Sequence, residues 1–288
     1  MARCPRSAVW CVCRGVPLMA SPYRLLTDGQ IQPKLVKPVP GRKRPILSAA
    51  FHLSPADSSG VEVCGGRSIA CTAGCLSWTG HGGIGVARDT AGHVVKGNSV
   101  TGARIRRTLQ LFDDPERTVE ELTRDLATLA RRAADVGADP AARLNATSDL
   151  DWTSIVGRDG TTLLDRFPNL QFYDYTKVRE RYSAFMAGEL PPNYHVTYSR
   201  SETLASQIFS MNALQAGGSV AVVFDTPKGA PLPKSWNGHK VIDGRTHDYR
   251  FLDPRGVVVG LSALGRDAKA DGRGFVVRVW DKWGARGR

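Results

Sequence analysis

From Ile46 onward the chain alternates short apolar runs with stretches of helical period. Ile46–Leu53, Ala141–Leu144, Leu170–Tyr173, Tyr194–Tyr198, Val220–Phe224, Val257–Leu261 and Phe275–Val279 are rich in β-branched, aromatic or other apolar residues, which predicts strands. Between them, apolar residues recur every three or four positions. Ile105, Leu109 and Phe112 predict a helix over 101–112, with Arg104, Arg106 and Arg107 on its other faces. A longer helix opens with Asp114 as cap and Pro115 as its first residue; Val119, Leu122, Leu126, Leu129 and Ala133 repeat until Gly137 ends it. Val178, Tyr182 and Phe185 predict a helix over Lys177–Gly188, and Leu204, Ile208, Met211 and Leu214 another over Glu202–Gly217 behind a capping Ser201.

Strand–helix alternation predicts an α/β fold, a mostly parallel sheet with alternating helices, in an order compatible with a partial (β/α) barrel. The loops after the strands then open on one side, and polar residues gather in them. Asn145, Thr147, Ser148 and Asp149 follow one strand, Asp174 and Lys177 the next, Ser199 and Arg200 the third, and Asp225 the fourth. Asn145, Asp149, Asp174, Lys177, Thr197 and Arg200 are therefore expected to converge in one cavity. Asp174 and Lys177 are candidates for acid–base catalysis; Asn145, Ser148, Asp149, Thr197, Ser199 and Arg200 are candidates for cofactor binding. Each has a plainer reading, since Asn, Asp and Ser also stabilise turns and caps, and Lys177 can stand solvated at a helix start.

Residues 1–18 read as an over-extended start or disordered leader, with Met19 the alternative beginning, because they show no period that would bury a face. Residues 19–45 read as a basic, proline-rich arm, 46–280 as one α/β domain and 281–288 as a flexible tail. No run approaches the ~20 apolar residues that span a bilayer, so a membrane protein is not expected. The net charge of +12 favours an anionic partner, with nucleic acid the leading class. Lys34, Lys37, Arg42, Lys43 and Arg44 make the densest basic run, and the prolines among them suit a solvated extended arm.

Of six cysteines, Cys4, Cys11 and Cys13 fall in the leader, and Cys64, Cys71 and Cys75 crowd into twelve residues. An odd cluster of this kind is a poor disulfide framework and a good ligand set, which places the protein in the reducing cytoplasm. The three lie in a glycine-rich loop, Gly60–Gly85, directly after the first strand, where Gly65, Gly66 and Gly74 give the backbone freedom to bend. Three thiolates can hold a four-iron cluster by three of its irons and leave the fourth open. They can also hold zinc with a fourth ligand such as His81, or simply be three buried thiols. Asp243, His247, Asp248 and Arg250 read either as metal ligands or, more simply, as a hairpin turn at Asp243-Gly244. No nucleophile elbow, P-loop or dinucleotide fingerprint is present, so nucleotide hydrolysis is not expected.

The stretches 49–57, 59–64 and 70–76, then 103–108, 143–149, 172–177, 194–201 and 241–244, resemble a family of phage and prophage proteins, the mycobacteriophage gene product eighty-eight group. The resemblance covers most of residues 46–280. Its three-cysteine motif looks like a distant variant of the radical S-adenosylmethionine cluster loop. The spacing here, C-x6-C-x3-C, departs from the usual C-x3-C-x2-C, Gly65 stands where the family usually has proline, and Ala146 where it usually has glycine. The resemblance implies a 4Fe–4S cluster on Cys64, Cys71 and Cys75 that binds S-adenosylmethionine at its open iron. The competing expectation is a zinc-stabilised nucleic-acid-binding protein that uses the basic arm and the Arg104, Arg106, Arg107 face.

Overall fold

The structure, a computed structural model, describes residues 22–29, 39, 41–90, 92–281 and 284–285. The expectations for residues 1–18 with Cys4, Cys11 and Cys13, for Lys34 and Lys37, and for residues 286–288 lie outside the described residues.

A ten-stranded sheet organises the chain. Its strands are β1 (Leu26–Asp28), β2 (Ile46–Phe51), β3 (Asp139–Arg143), β4 (Gln171–Thr176), β5 (Tyr194–Ser199), β6 (Val220–Phe224), β7 (Ser235–Trp236), β8 (His239–Asp243), β9 (Val258–Ser262) and β10 (Val276–Val277). The order is β1-β2-β3-β4-β5-β6-β9-β8-β7, with β10 on β6. Only β1 with β2 and β7 with β8 pair antiparallel; the remaining pairs are parallel, as the alternation predicts. Laying consecutive strands side by side is the order of a (β/α) barrel, but this sheet stays open, with β1 and β7 at its edges.

The helices between the strands are α1 (Ser99–Asp113), α2 (Pro115–Asp135), α3 (Arg179–Ala187) and α4 (Leu204–Gln215). α2 follows its sequence signals closely: the Asp114 side chain accepts the Arg117 N–H at 3.0 Å, and Val119, Leu122, Leu126, Leu129 and Ala133 are all fully buried. α1 starts earlier than its apolar period suggests, because Asn98 and Thr101 form a capping box. α4 is capped by Thr203 rather than Ser201, its side chain accepting the Ser206 N–H at 3.2 Å.

Strand alternation divides the sheet into two unlike faces. Leu47, Ala49, Phe51, Ala142, Phe172, Val196 and Val222 point to the helix side and form the main core with α2. Ser48, Arg143, Tyr173, Tyr175, His195 and Thr197 point the other way, where Tyr249 and Phe251 cover Tyr173 at ring distances of 5.9 and 5.4 Å.

Three expectations change. Residues 22–29 pack on the domain instead of forming a solvated arm, with Leu26–Asp28 in the sheet: Tyr23, Leu25 and Leu26 are buried, and Asp125 of α2 accepts the N–H groups of Arg24, Leu25 and Leu26 at 3.0, 2.7 and 2.9 Å. That short apolar run offers too few residues to display a period. Arg42 and Arg44 are tied to Asp139 by ion pairs. The third concerns Asp243-Gly244, which makes no hairpin, since β8 runs parallel to β9. The true hairpin lies at Asn237-Gly238, where φ is 47° and 80°, between β7 and β8.

Candidate functional site

The cysteine loop leaves the carboxyl end of β2 and folds across the ends of the neighbouring strands. Ser68 caps a single turn of helix, Ile69–Ala73, by accepting the Cys71 N–H at 3.2 Å. Glu202, just past β5, holds the start of that turn: it accepts from Ser68 Oγ at 2.6 Å and from the Ala70 N–H at 2.9 Å. The Asp149 N–H donates to the Val63 carbonyl at 2.7 Å, which ties the loop to the end of β3. Gly66 serves close approach: a Cβ there would stand 2.7 Å from the Lys177 carbonyl carbon. None of Gly65, Gly66 and Gly74 occupies the left-handed region, so bending is not their role.

Cys64, Cys71 and Cys75 line one small cavity of about 30 Å³, with Asp57, Trp78 and Arg88 also on its walls. A shallower depression of about 860 Å³ opens beside it and shares Cys64, Thr72 and Arg88. Arg88 stacks on Trp78 at 4.6 Å. Burial pushes the Cys64 thiol up to about 12, with the neighbouring Cys75, Asp149 and Cys71 adding to the rise; its Sγ faces the Ala56 N–H at 3.4 Å. The Cys71 thiol is also raised by burial, against the pull of Lys177. Ala56, on the cavity wall, is held at φ 54°, a costly conformation for a residue with a Cβ. Among the described residues no group of three or more His, Cys, Asp or Glu stands in an arrangement that could hold a metal ion. His81 is exposed, in the turn Gly80–Gly82, and is not part of the cavity wall.

The strand-end residues divide into two groups. Asn145, Ser148 and Asp174 form a buried knot: Asp174 accepts from the Asn145 N–H at 2.7 Å and the Tyr194 hydroxyl at 3.0 Å, and Ser148 Oγ donates to Asn145 Oδ1 at 2.9 Å. Burial raises the Asp174 carboxyl to about 7, against the lowering effect of Arg143 and of these donors. Lys177, Asp149, Ser199 and Arg200 instead gather next to the cysteine loop. Lys177 Nζ donates to Ser199 Oγ at 2.8 Å and lies 5.2 Å from the Phe275 ring centre, while its N–H donates to Asp149 Oδ2 at 2.8 Å. Asp149 is paired with Arg181 at 2.5 Å. Arg200 Nη1 donates to the Gly274 carbonyl at 2.9 Å, bridging the place where β10 takes over the edge of β6 from β5. Thr197 faces away from the helices, with His195 Nε2 at 3.4 Å.

That other face also holds Arg143, Tyr173, Tyr175 and His195, which the sequence reading did not single out. Arg143 pairs with Asp248 at 2.8 Å and stacks on Tyr175 at 4.9 Å, and the Tyr175 hydroxyl donates to Asp248 at 3.1 Å. Asp248 and Arg250, from the segment read as a turn, thus cover the sheet, and Arg250 pairs with Asp253 at 3.0 Å. The available signal was a polar residue at every second strand position: Ser48, Arg143, Tyr173 and Tyr175, His195 and Thr197. Arg104 and Arg107 are half-buried; only Arg106 of the expected basic face is exposed.

A family model described as Gene product 88 matches residues 24–279. No curated protein and no solved structure matches the chain. No helix among the described residues is long and apolar enough to cross a membrane.

Proposed function

The chain belongs to the gene product 88 family, a phage gene-product family, and on that premise we propose that Cys64, Cys71 and Cys75 hold an iron–sulfur cluster of radical S-adenosylmethionine type. One observation carries the reading: three thiols from one loop line a single cavity at the carboxyl ends of parallel strands. Ligand loops at that end of a sheet are where α/β folds place their chemistry. A cluster held by three thiolates keeps one iron open to a chelating ligand such as S-adenosylmethionine, and would supply one-electron chemistry there.

The residues around the thiols fit such a group in charge. Lys177 lowers the cost of a thiolate at Cys71, and Arg104 lies close enough to Cys75 for their charges to interact. The cavity is narrower than a cluster needs, so loading requires the loop to part from Trp78 and Arg88. Coupling of this kind between binding and local folding is common in metal sites. Glu202 and Asp149 anchor the first half of the loop, at Ser68, Ala70 and Val63, which leaves the stretch that carries Cys75 and Trp78 as the part that would have to give way. Lys177, Ser199 and Arg200, beside the loop, are placed to orient a polar ligand; Asn145 and Asp174 act through the strand ends they brace.

Purified without oxygen and supplied with iron and sulfide, the protein is expected to bind about four irons and absorb broadly in the blue. Changing any one of Cys64, Cys71 or Cys75 to Ala should abolish incorporation, and His81→Ala should leave it intact. A colourless protein with one zinc, lost on His81→Ala, overturns the reading in favour of a structural zinc site.

A further inference from the structure

The depression of about 860 Å³ beside the thiols is built by one stretch of chain: among the described residues its walls come from Glu62 to Gly92, and no strand-end residue contributes. Ile69, Ala73 and Val86 make an apolar side, with Ile69 73% exposed. Arg67 and Arg88 are the cations of the wall. Arg67 is spent on its surroundings. Its Nε donates to Glu62 at 2.7 Å, Nη2 to Asp57 at 2.8 Å and Nη1 to the Thr72 hydroxyl at 3.2 Å, which also neutralises the Glu62 carboxylate on the same wall.

Arg88 is held differently. It lies in a hairpin that pairs Ala87–Arg88 with Val94–Lys96, and the register shifts between Ala87 and Arg88. Such an irregularity re-aims a side chain. The half-buried Arg88 side chain is laid over the Trp78 ring at 4.6 Å, and among the described residues its guanidinium makes no hydrogen bond or ion pair. Stacking engages the flat face of a guanidinium and leaves the N–H donors on its edge unspent. The adjacent carboxylate does not neutralise it. Asp89 is turned into its own loop, where one oxygen accepts the His93 N–H at 2.9 Å and the other stands 3.5 Å from His93 Nδ1.

We infer that this depression binds a small molecule that ends in an oxyanion, a carboxylate or a phosphate, and carries an apolar body. The Arg88 edge takes the anion through paired N–H donors, while Ile69, Ala73 and Val86 cover the body. The volume suits such a ligand, since small-molecule sites occupy roughly 300–1,000 Å³. Arg88, Cys64 and Thr72 wall both this depression and the thiol cavity, so the bound molecule lies against the thiols. The site is separate from the strand-end group of Lys177, Ser199 and Arg200, none of which lines it. It requires no cluster, and its test runs on protein without iron, so its failure and that of the iron–sulfur reading are distinguishable.

The full chain, purified without iron and free of phosphate, is titrated calorimetrically with phenyl phosphate and with benzoate. Inorganic phosphate and acetate serve as the same anions without the body, and chloride at matched ionic strength as reference. Saturable binding of at least one aromatic anion is expected, at least fivefold tighter than its bodiless counterpart. Phenyl phosphate alone identifies a phosphate-bearing ligand and benzoate a carboxylate-bearing one; either supports the site. Arg88→Gln should weaken binding at least tenfold, and Lys96→Gln, an exposed cation of the same hairpin outside the depression, should leave it unchanged. Gly65→Phe should block the site without lowering Tm, because a Cβ at this wall position meets nothing within 4 Å. Should Arg88→Gln fail to fold, protection of wild-type Arg88 from phenylglyoxal by the bound anion, mapped by mass spectrometry, decides the same point. The inference is overturned if neither aromatic anion binds beyond the chloride reference, or if the bodiless anions bind as tightly. It is also overturned if Lys96→Gln weakens binding as much as Arg88→Gln, if Gly65→Phe leaves the affinity unchanged, or if Arg88 is unprotected while the anion is bound.

Discussion

Phe172 and Tyr173 are adjacent in β4 and live in different chemistries. Phe172 is fully buried in the apolar core of the helix side, among aliphatic and aromatic side chains. Tyr173 is 1% exposed on the opposite side, against Tyr249 and Phe251, with its hydroxyl lacking a hydrogen-bond partner and its neighbours including the Arg143–Asp248 pair. One face is sealed by packing, and its buried hydroxyls and the Asp174 carboxyl are hydrogen-bonded. The other encloses cations, imidazoles and hydroxyls that packing does not satisfy: His52 Nδ1, Arg143 Nε and the Tyr173 hydroxyl are all buried without partners. Such groups are costly in a fold that has only stability to maintain, and they concentrate where a protein binds something. The two faces thus differ in how far packing and internal hydrogen bonds account for the groups they bury.

The largest effect that separates the faces is expected from Phe172→Ala. Truncating a fully buried aromatic removes its transfer free energy and leaves a cavity, together about 3–5 kcal/mol. Urea unfolding measures it, and a loss below about 1 kcal/mol would mean that the helix side is not the rigid core.

Asp174 breaks the rule for the helix side, being a carboxyl inside the apolar face, and its titration sharpens the comparison. Its native pKa, about 7, lies above the ordinary 3.8, so between pH 4 and 7 the native state keeps a proton that the unfolded chain releases. Stability contributed by this group therefore falls as pH rises through that window, by about 1.4 kcal/mol per pH unit. Asp253, raised to about 6 mainly by burial, acts in the same direction, while His52, lowered to about 3, and His195, lowered to about 4, act oppositely below pH 6.5. The difference between wild type and Asp174→Asn isolates the term. The wild-type advantage should shrink steadily from pH 5 to pH 7, whereas parallel stability curves would show that Asp174 is ionised throughout.

What the sequence made legible follows from how local each signal is. The Asp114 cap, Pro115 and the five-residue apolar stripe define α2 without reference to the rest of the chain. The apolar strands in the middle of the sheet are readable for the same reason. β8 is not: His239–Asp243 is polar and half-exposed, and its parallel pairing with β9 bridges distant residues. Gly244 looked like a turn residue, but a Cβ there would stand 2.6 Å from Val259 Cγ1, so the glycine permits strands to approach. The cysteine spacing pointed to one loop, and the three thiols of that loop line one small cavity. It could not reveal that Arg104 points inward, because the turn over that guanidinium is built by residues 77–82, remote in helical phase from α1. Likewise the positions of Lys177 and Ser199 at the ends of two different strands carry no hint that Lys177 Nζ reaches across to Ser199.

The smallest effect expected is at Tyr173→Phe, and its sign is what matters. Removing a hydroxyl usually costs the hydrogen bond it made, about 0.5–1.5 kcal/mol. Here the hydroxyl makes none and is already shut away from water, so its removal takes away a desolvated polar atom and leaves the ring contacts with Tyr249 and Phe251 in place. Tyr173→Phe should therefore leave stability unchanged or raise it by up to about 1 kcal/mol, and chemical denaturation resolves a change of that size. If the face serves a ligand, the same substitution should lower affinity for it while the free protein gains stability, the trade expected where a binding group is kept against the interest of the fold. A clear loss of stability would mean that the hydroxyl is satisfied in solution, and the contrast between Phe172 and Tyr173 would reduce to one of size.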